Sequence, residues 1–113
     1  RQEIAQFYRT EITNSRITHP PHSFDSIYVR YPIRVSYPAK LMERAKQQRI
    51  LLGNWYDTVV APRDIDRTKT GYQLGSCPRA EALAQESVNV STGHGISKED
   101  ARRIVALLNA FGA

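Results

Sequence analysis

At 113 residues, with 41% apolar and 24% charged side chains, the chain has the size and composition of one globular domain and not of a disordered segment. A net charge of +5 and a pI near 9.7 raise the question of a polyanionic partner. Yet Arg30, Arg34, Lys40, Arg44, Arg49 and the pair Arg102–Arg103 are dispersed over different elements, which argues against a nucleic-acid arm and for solvated faces.

In chain order, RQEIAQFYRTEI sets Ile4, Phe7, Tyr8 and Ile12 at helical spacing, which predicts a helix. TNSRITHPPHSFDS follows as a loop. In IYVRYPIRVS, the residues Ile27, Val29, Tyr31, Ile33 and Val35 alternate with Tyr28, Arg30, Pro32, Arg34 and Ser36, the period-2 pattern of a strand with one buried face. Pro32 donates no ladder bond and so belongs at an edge or a bulge. PAKLMERAKQQRILLG predicts a second helix that opens on Pro38, places Leu41, Met42, Ala45 and Leu52 along one side, and ends at Gly53. WYDTVVAP, rich in strand formers and stopped by Pro62, predicts a short strand. Residues 63–76 read as a long polar loop. CPRAEALAQE then predicts a helix with Pro78 in its first turn and Leu83 and Ala84 facing inward, and SVNVS a strand. Last comes the clearest helix, with Ser97 and Asp100 in capping-box spacing ahead of Ala101, Ile104, Val105, Leu108 and Phe111. There is no internal repeat, and elements apolar on one side only bury themselves as an α+β fold, a small sheet covered by helices.

The single cysteine forms no internal disulfide, and no apolar run approaches the about 20 residues that cross a bilayer. The opening residues are not a signal peptide. The expected setting is therefore cytoplasmic, with no membrane partner. The chain begins with Arg instead of Met, which suggests a processed product or an excised piece of a longer protein.

Candidate chemistry is sparse. Cys77 at a helix start is a nucleophile only if a base such as His94 adjoins it; otherwise it is a small hydrophobe. His19 and His22 in HPPH lack the further ligands a zinc site needs. Gly93-His94-Gly95 lacks the Lys and Ser/Thr of a phosphate-binding loop and reads as a turn into the last helix. Asn89-Val90-Ser91 matches a glycosylation acceptor, but inside a predicted strand. Asp57, Asp64 and Asp66 read as solvated loop carboxylates. Trp55-Tyr56 either line a ligand pocket or pack in a core or domain interface. No catalytic residue and no metal site is expected.

VRYPIRV, a helix ending LLG, NWYDTVVAP, and CPRAEALAQESVNVSTGHGISKEDARRIVALLNAF together resemble the C-terminal part of the DegT/DnrJ/StrS sugar aminotransferases, which use pyridoxal phosphate. The resemblance covers about residues 27–111 and is sharpest in the Cys-Pro-x-Ala-Glu helix, the Asn-hydrophobic strand and the final capped helix. It implies the small domain of a fold-type-I enzyme, with a largely antiparallel sheet covered by helices. Residues 1–113 then form one domain, in which residues 1–13 are a candidate inter-domain helix. The cofactor, its Schiff-base lysine and its phosphate-binding groups are implied for a large domain. Lys40, Lys46, Lys69 and Lys98 are assigned no cofactor role, so none is expected to be bound by this chain alone. Many members carry a histidine in a Pro-Leu-His stretch after the second strand; here the sequence reads Val60-Ala61-Pro62, and no histidine is carried over. The resemblance implies a keto-sugar nucleotide substrate, an amino-acid donor and a homodimer at full length, with Trp55, Tyr56, Arg63 and His94 as substrate-binding candidates. The alternative is a free-standing small-molecule-binding or protein-interaction module of the same fold; a third reading is an anion-binding domain that uses the basic balance.

Overall fold

The computed structural model describes residues 1–22, 25–60 and 64–112. Helix α1 is Gln2–Glu11, strand β1 Arg30–Arg34, helix α2 Pro38–Gln47, helix α3 Pro78–Glu86, strand β2 Ser87–Ser91 and helix α4 Lys98–Ala110, with a 3-10 turn at Arg67–Lys69 in the long loop. Among the described residues the fold is α+β, as the sequence indicates: four helices and a two-stranded antiparallel sheet.

β1 and β2 pair from Arg30 opposite Ser91 to Arg34 opposite Ser87. Alternation puts Tyr31, Ile33, Val88 and Val90 on one face, all fully buried. Three helices close over that core: α1 through Ala5 and Tyr8, α2 through Leu41 and Ala45, and α4 through Ile104, Leu107 and Leu108. The period-2 reading of β1 fails at its start, where Ile27 and Val29 are 64% and 67% exposed. Tyr28 adopts φ 45°, a left-handed turn that resets the alternation. The Tyr28 ring packs 5.6 Å from Tyr31, and its carbonyl accepts a bond from the Thr92 hydroxyl at 2.6 Å.

Arg34 exchanges both backbone bonds with Thr18 at 3.0 Å, so the even-numbered residues of β1 turn their amides away from β2. Pro32 is one of them and sacrifices no bond of the ladder, in keeping with the edge position expected of it. On the other flank, Gly53 and Asn89 exchange bonds of 2.9 and 2.7 Å. Pairing stops at that isolated bridge, and the predicted strand over WYDTVVAP does not form among its described residues. The Trp55 amide donates instead to the Asn89 side chain at 2.8 Å, which takes the chain out of the ladder.

α2 also ends earlier than predicted. Arg49 N bonds Lys46 O at 3.0 Å and Ile50 N bonds Ala45 O at 2.8 Å, with Arg49 at φ 59°. That is a Schellman closure with an arginine in the position glycine usually takes. Ile50 and Leu52 are buried as part of an extended segment beside β2, not as helix. α3 begins at Pro78 as expected but buries no residue, and Leu83, predicted to face inward, is 42% exposed.

In α4 the Ser97 hydroxyl accepts from Asp100 N at 3.0 Å, and the Asp100 carboxylate accepts from Ser97 N at 3.1 Å, the capping box read from the sequence. Ser97→Ala is expected to cost roughly 1 kcal/mol in thermal unfolding; no change in Tm would show that the box does not anchor α4. At the far ends of α1 and α4, the Asn109 carbonyl oxygen accepts from Thr13 N and Asn14 N at 2.8 and 3.2 Å, while its amide donates to Glu11 O at 2.9 Å. The Asn14 amide answers with bonds to Leu108 O and Phe111 O at 2.9 and 2.8 Å. Of these groups, Glu11 O is a carbonyl at the C-terminal end of α1, where the helix itself supplies no partner.

Candidate functional site

Directly paired residues share a sheet face, so Arg30 and Ser91, and Pro32 with Asn89 and Gly53, lie on the face opposite the core. Asn89 is only 5% exposed although its side chain is on that outer face, because the segment after Gly53 folds over it. Its bond to the Trp55 amide sets the indole beneath the Arg30 guanidinium, whose carbon lies 4.1 Å from the ring centroid. The Tyr56 ring is parallel to the indole within 7° at 5.8 Å. Both aromatics stay open, at 55% and 60% exposure, so of the two sequence readings the structure rejects core packing. Gly53 leaves room for the arrangement: a Cβ there would stand 3.2 Å from an Arg30 terminal nitrogen and 3.4 Å from the Asn89 Cβ, and would press the guanidinium aside.

His94 is exposed in the turn between β2 and α4 and lines a cleft of about 310 Å³ with Arg1, Glu3, Phe7, Thr92 and Lys98. Arg1 closes one side, donating to Val29 O at 2.6 Å and to the Thr92 hydroxyl at 3.2 Å. The structure thus joins Trp55 to Tyr56, but His94 faces a cleft whose lining includes neither aromatic. Arg63 lies outside the described residues. A larger trough of about 750 Å³ runs between α1 and the residues around His22 and Tyr28, and it contains none of the four candidates.

Apart from Cys77, which makes no side-chain cap bond, the remaining chemistry-bearing residues have structural duties. Cys77 is exposed at the N-cap of α3. The Glu81 carboxylate accepts from the Tyr72 hydroxyl at 2.5 Å and from Gly75 N at 2.7 Å, fastening the long loop to α3; this bond holds the Tyr72 phenol above its ordinary range. His19 must donate from Nε2 to Ile12 O at 2.9 Å, leaving Nδ1 to accept from the Tyr31 hydroxyl at 2.7 Å. Asp66 caps the 3-10 turn through Thr68. Asn89 is buried inside β2, which removes it as a glycosylation acceptor in the folded chain. No group of three His, Cys, Asp or Glu among the described residues can hold a metal ion, and no helix there is long and apolar enough to span a membrane.

Sequence reasoning missed Arg30, Gly53 and Asn89 as parts of this site. A polar residue between two valines in SVNVS was the available signal for Asn89. The arginine and glycine contacts depend on strand register, which a single sequence does not display.

The chain matches the family model described as the DegT/DnrJ/EryC1/StrS aminotransferase family over residues 1–109, a match that takes in α1 as well as the stretch from residue 27. No curated protein sequence matches. Among solved structures, S. venezuelae DesV in complex with a ketimine intermediate superposes with a TM-score of 0.82 at 18% identity, covering 96% of this chain and 30% of that one. A DegT DnrJ EryC1 StrS aminotransferase from Brucella abortus gives 0.76 at 18%, covering 95% and 29%. A sugar aminotransferase from Micromonospora echinospora gives 0.74 at 18%, covering 96% and 29%. The chain therefore spans about 30% of the length of the structures it matches, an extent in keeping with a small domain, and likeness at such identity concerns the fold.

Proposed function

We propose, on the premise that this chain belongs to the DegT/DnrJ/EryC1/StrS aminotransferase family, that it is the C-terminal small domain of a pyridoxal-phosphate-dependent transaminase. Its substrate is a keto-sugar nucleotide, its second substrate an amino-acid donor, and the full-length protein is a homodimer. The observation that carries this reading is the family match over nearly the whole chain. The sugar aminotransferase fold of its structural neighbours supports it.

The residues present do not fit the cofactor itself. A lysine that forms a Schiff base has to be desolvated and pre-positioned, and Lys40, Lys46, Lys69 and Lys98 are all exposed. No chemical step is assigned to this chain. Its contribution is one wall of a site at the boundary with the large domain, where Trp55 and Tyr56, with Arg63 and His94, orient the substrate and exclude water. The net charge of +5 suits a substrate that carries a diphosphate.

The test is amino transfer by the full-length protein, supplied with pyridoxal phosphate, an amino-acid donor and a keto-sugar nucleotide. Transfer is expected, with a several-fold rise in KM for the sugar nucleotide in Trp55→Ala. The chain alone should give no stable cofactor absorbance. Absorbance from the isolated chain that disappears on replacing one of its lysines would overturn the assignment of the cofactor to the large domain.

A further inference from the structure

Trp55 is the only tryptophan of the chain and more than half of it faces solvent, yet two contacts fix it and a glycine leaves room for the second. Asn89 binds its amide, Arg30 covers its ring at 4.1 Å, and the bare backbone of Gly53 leaves the guanidinium its place. A surface indole that merely shields a core has no use for a cation on its face, and the core here is closed from the other side of the sheet by α1, α2 and α4. The Tyr56 ring stacks against the indole, parallel within 7° and with centroids 5.8 Å apart, and is itself 60% exposed.

We infer that Arg30 is a positioning residue which, with Asn89 and Gly53, holds Trp55 and Tyr56 as a preassembled platform for a planar aromatic ligand, the nucleobase end of the substrate. The inference rests on the function proposed above. Stacking on aromatic rings accepts any base because each presents a π face, and a platform ordered in advance loses little rotamer freedom when the ligand arrives. A guanidinium over the indole holds it by cation–π attraction and planar contact together. An ammonium reproduces only the first.

Trp55 emission in the 113-residue chain is its own reporter. Titration with uridine monophosphate should quench it saturably, whereas ribose phosphate, the same anion without a base, should not. Arg30→Ala should weaken the nucleotide about tenfold and lower Trp55 anisotropy, Arg30→Lys should recover part of both, and Gly53→Ala should fall between. Equal quenching by ribose phosphate would mean a phosphate site on the arginine and would sink the platform. So would an Arg30→Ala variant with unchanged anisotropy and affinity, the absence of any response to the nucleotide, or far tighter binding of polyuridylate than of the monomer. Amino transfer by the full-length protein separates the two ideas: an active enzyme without nucleotide quenching refutes the platform alone, and quenching with an inactive enzyme refutes the functional reading alone.

Discussion

Tyr31→Ala should lose about 3–5 kcal/mol in denaturant unfolding, as truncation of a buried aromatic does, while Tyr31→Phe should lose about 1 kcal/mol. The side chain has no solvent exposure, with the rings of Tyr8 and Tyr28 each 5.6 Å away and that of His19 at 5.9 Å. Its hydroxyl bonds His19, which in turn bonds Ile12 O just beyond α1. The alanine variant therefore opens a cavity at the centre of the core. The phenylalanine variant removes only the link from β1 through His19 to α1, and His19 is half-exposed, so water can replace the lost partner.

The same pair has a pH signature. Burial pushes the Tyr31 phenol up to about 12 from an ordinary value of about 10, so the folded state favours the neutral form. The resulting stabilisation is complete below about 10 and is lost as pH rises from there through about 12. Burial also raises the Tyr8 phenol, but that contribution is common to wild type and variant. The gap between wild type and Tyr31→Phe should therefore narrow across this window; stability curves that stay parallel would refute the assignment.

Asn109→Ala should cost about 2 kcal/mol, since it deletes three hydrogen bonds at once and each is worth about 0.5–1.5 kcal/mol before water compensates. Asn14→Ala removes the two return bonds and the bond its carbonyl oxygen accepts from Arg16 N at 3.0 Å, and should cost a comparable amount. Both side chains clamp one joint between the ends of α1 and α4, so the double variant should lose less than the two singles combined. Strict additivity in urea unfolding would mean that the asparagines act separately.

What was legible in the sequence depended on how local its cause was. The capping box of α4 lies within four consecutive residues, and Ser97 and Asp100 could be read directly. Pro78 marked the start of α3 for the same reason. The apolar alternation of β1 was sound from Tyr31 onward, but the positive φ of Tyr28 answers to Thr92, a residue 64 positions away, and nothing nearby in the sequence announces it. WYDTVV has strand propensity, yet the Asn89 side chain takes the amide that a continuing ladder would have used. Gly53 looked like a helix stop, whereas its glycine character serves the close approach of Arg30 and the helix stops at a left-handed arginine. For the candidate site, the aromatic pair could be named from composition, but its arginine and its asparagine could not.

Pro32 has a consequence beyond its own strand. Among the described residues the outer edge of β1 pairs only through the bridge between Arg34 and Thr18, and an unpaired edge is a template on which a strand from another molecule can add. At the middle of that edge Pro32 supplies no donor, so an incoming strand meets a gap where its next bond should form, and Arg30 and Arg34 on either side oppose a second copy of the same edge with like charge. Pro32, on the outward phase of the β1 alternation, thereby guards the chain against edge-to-edge aggregation.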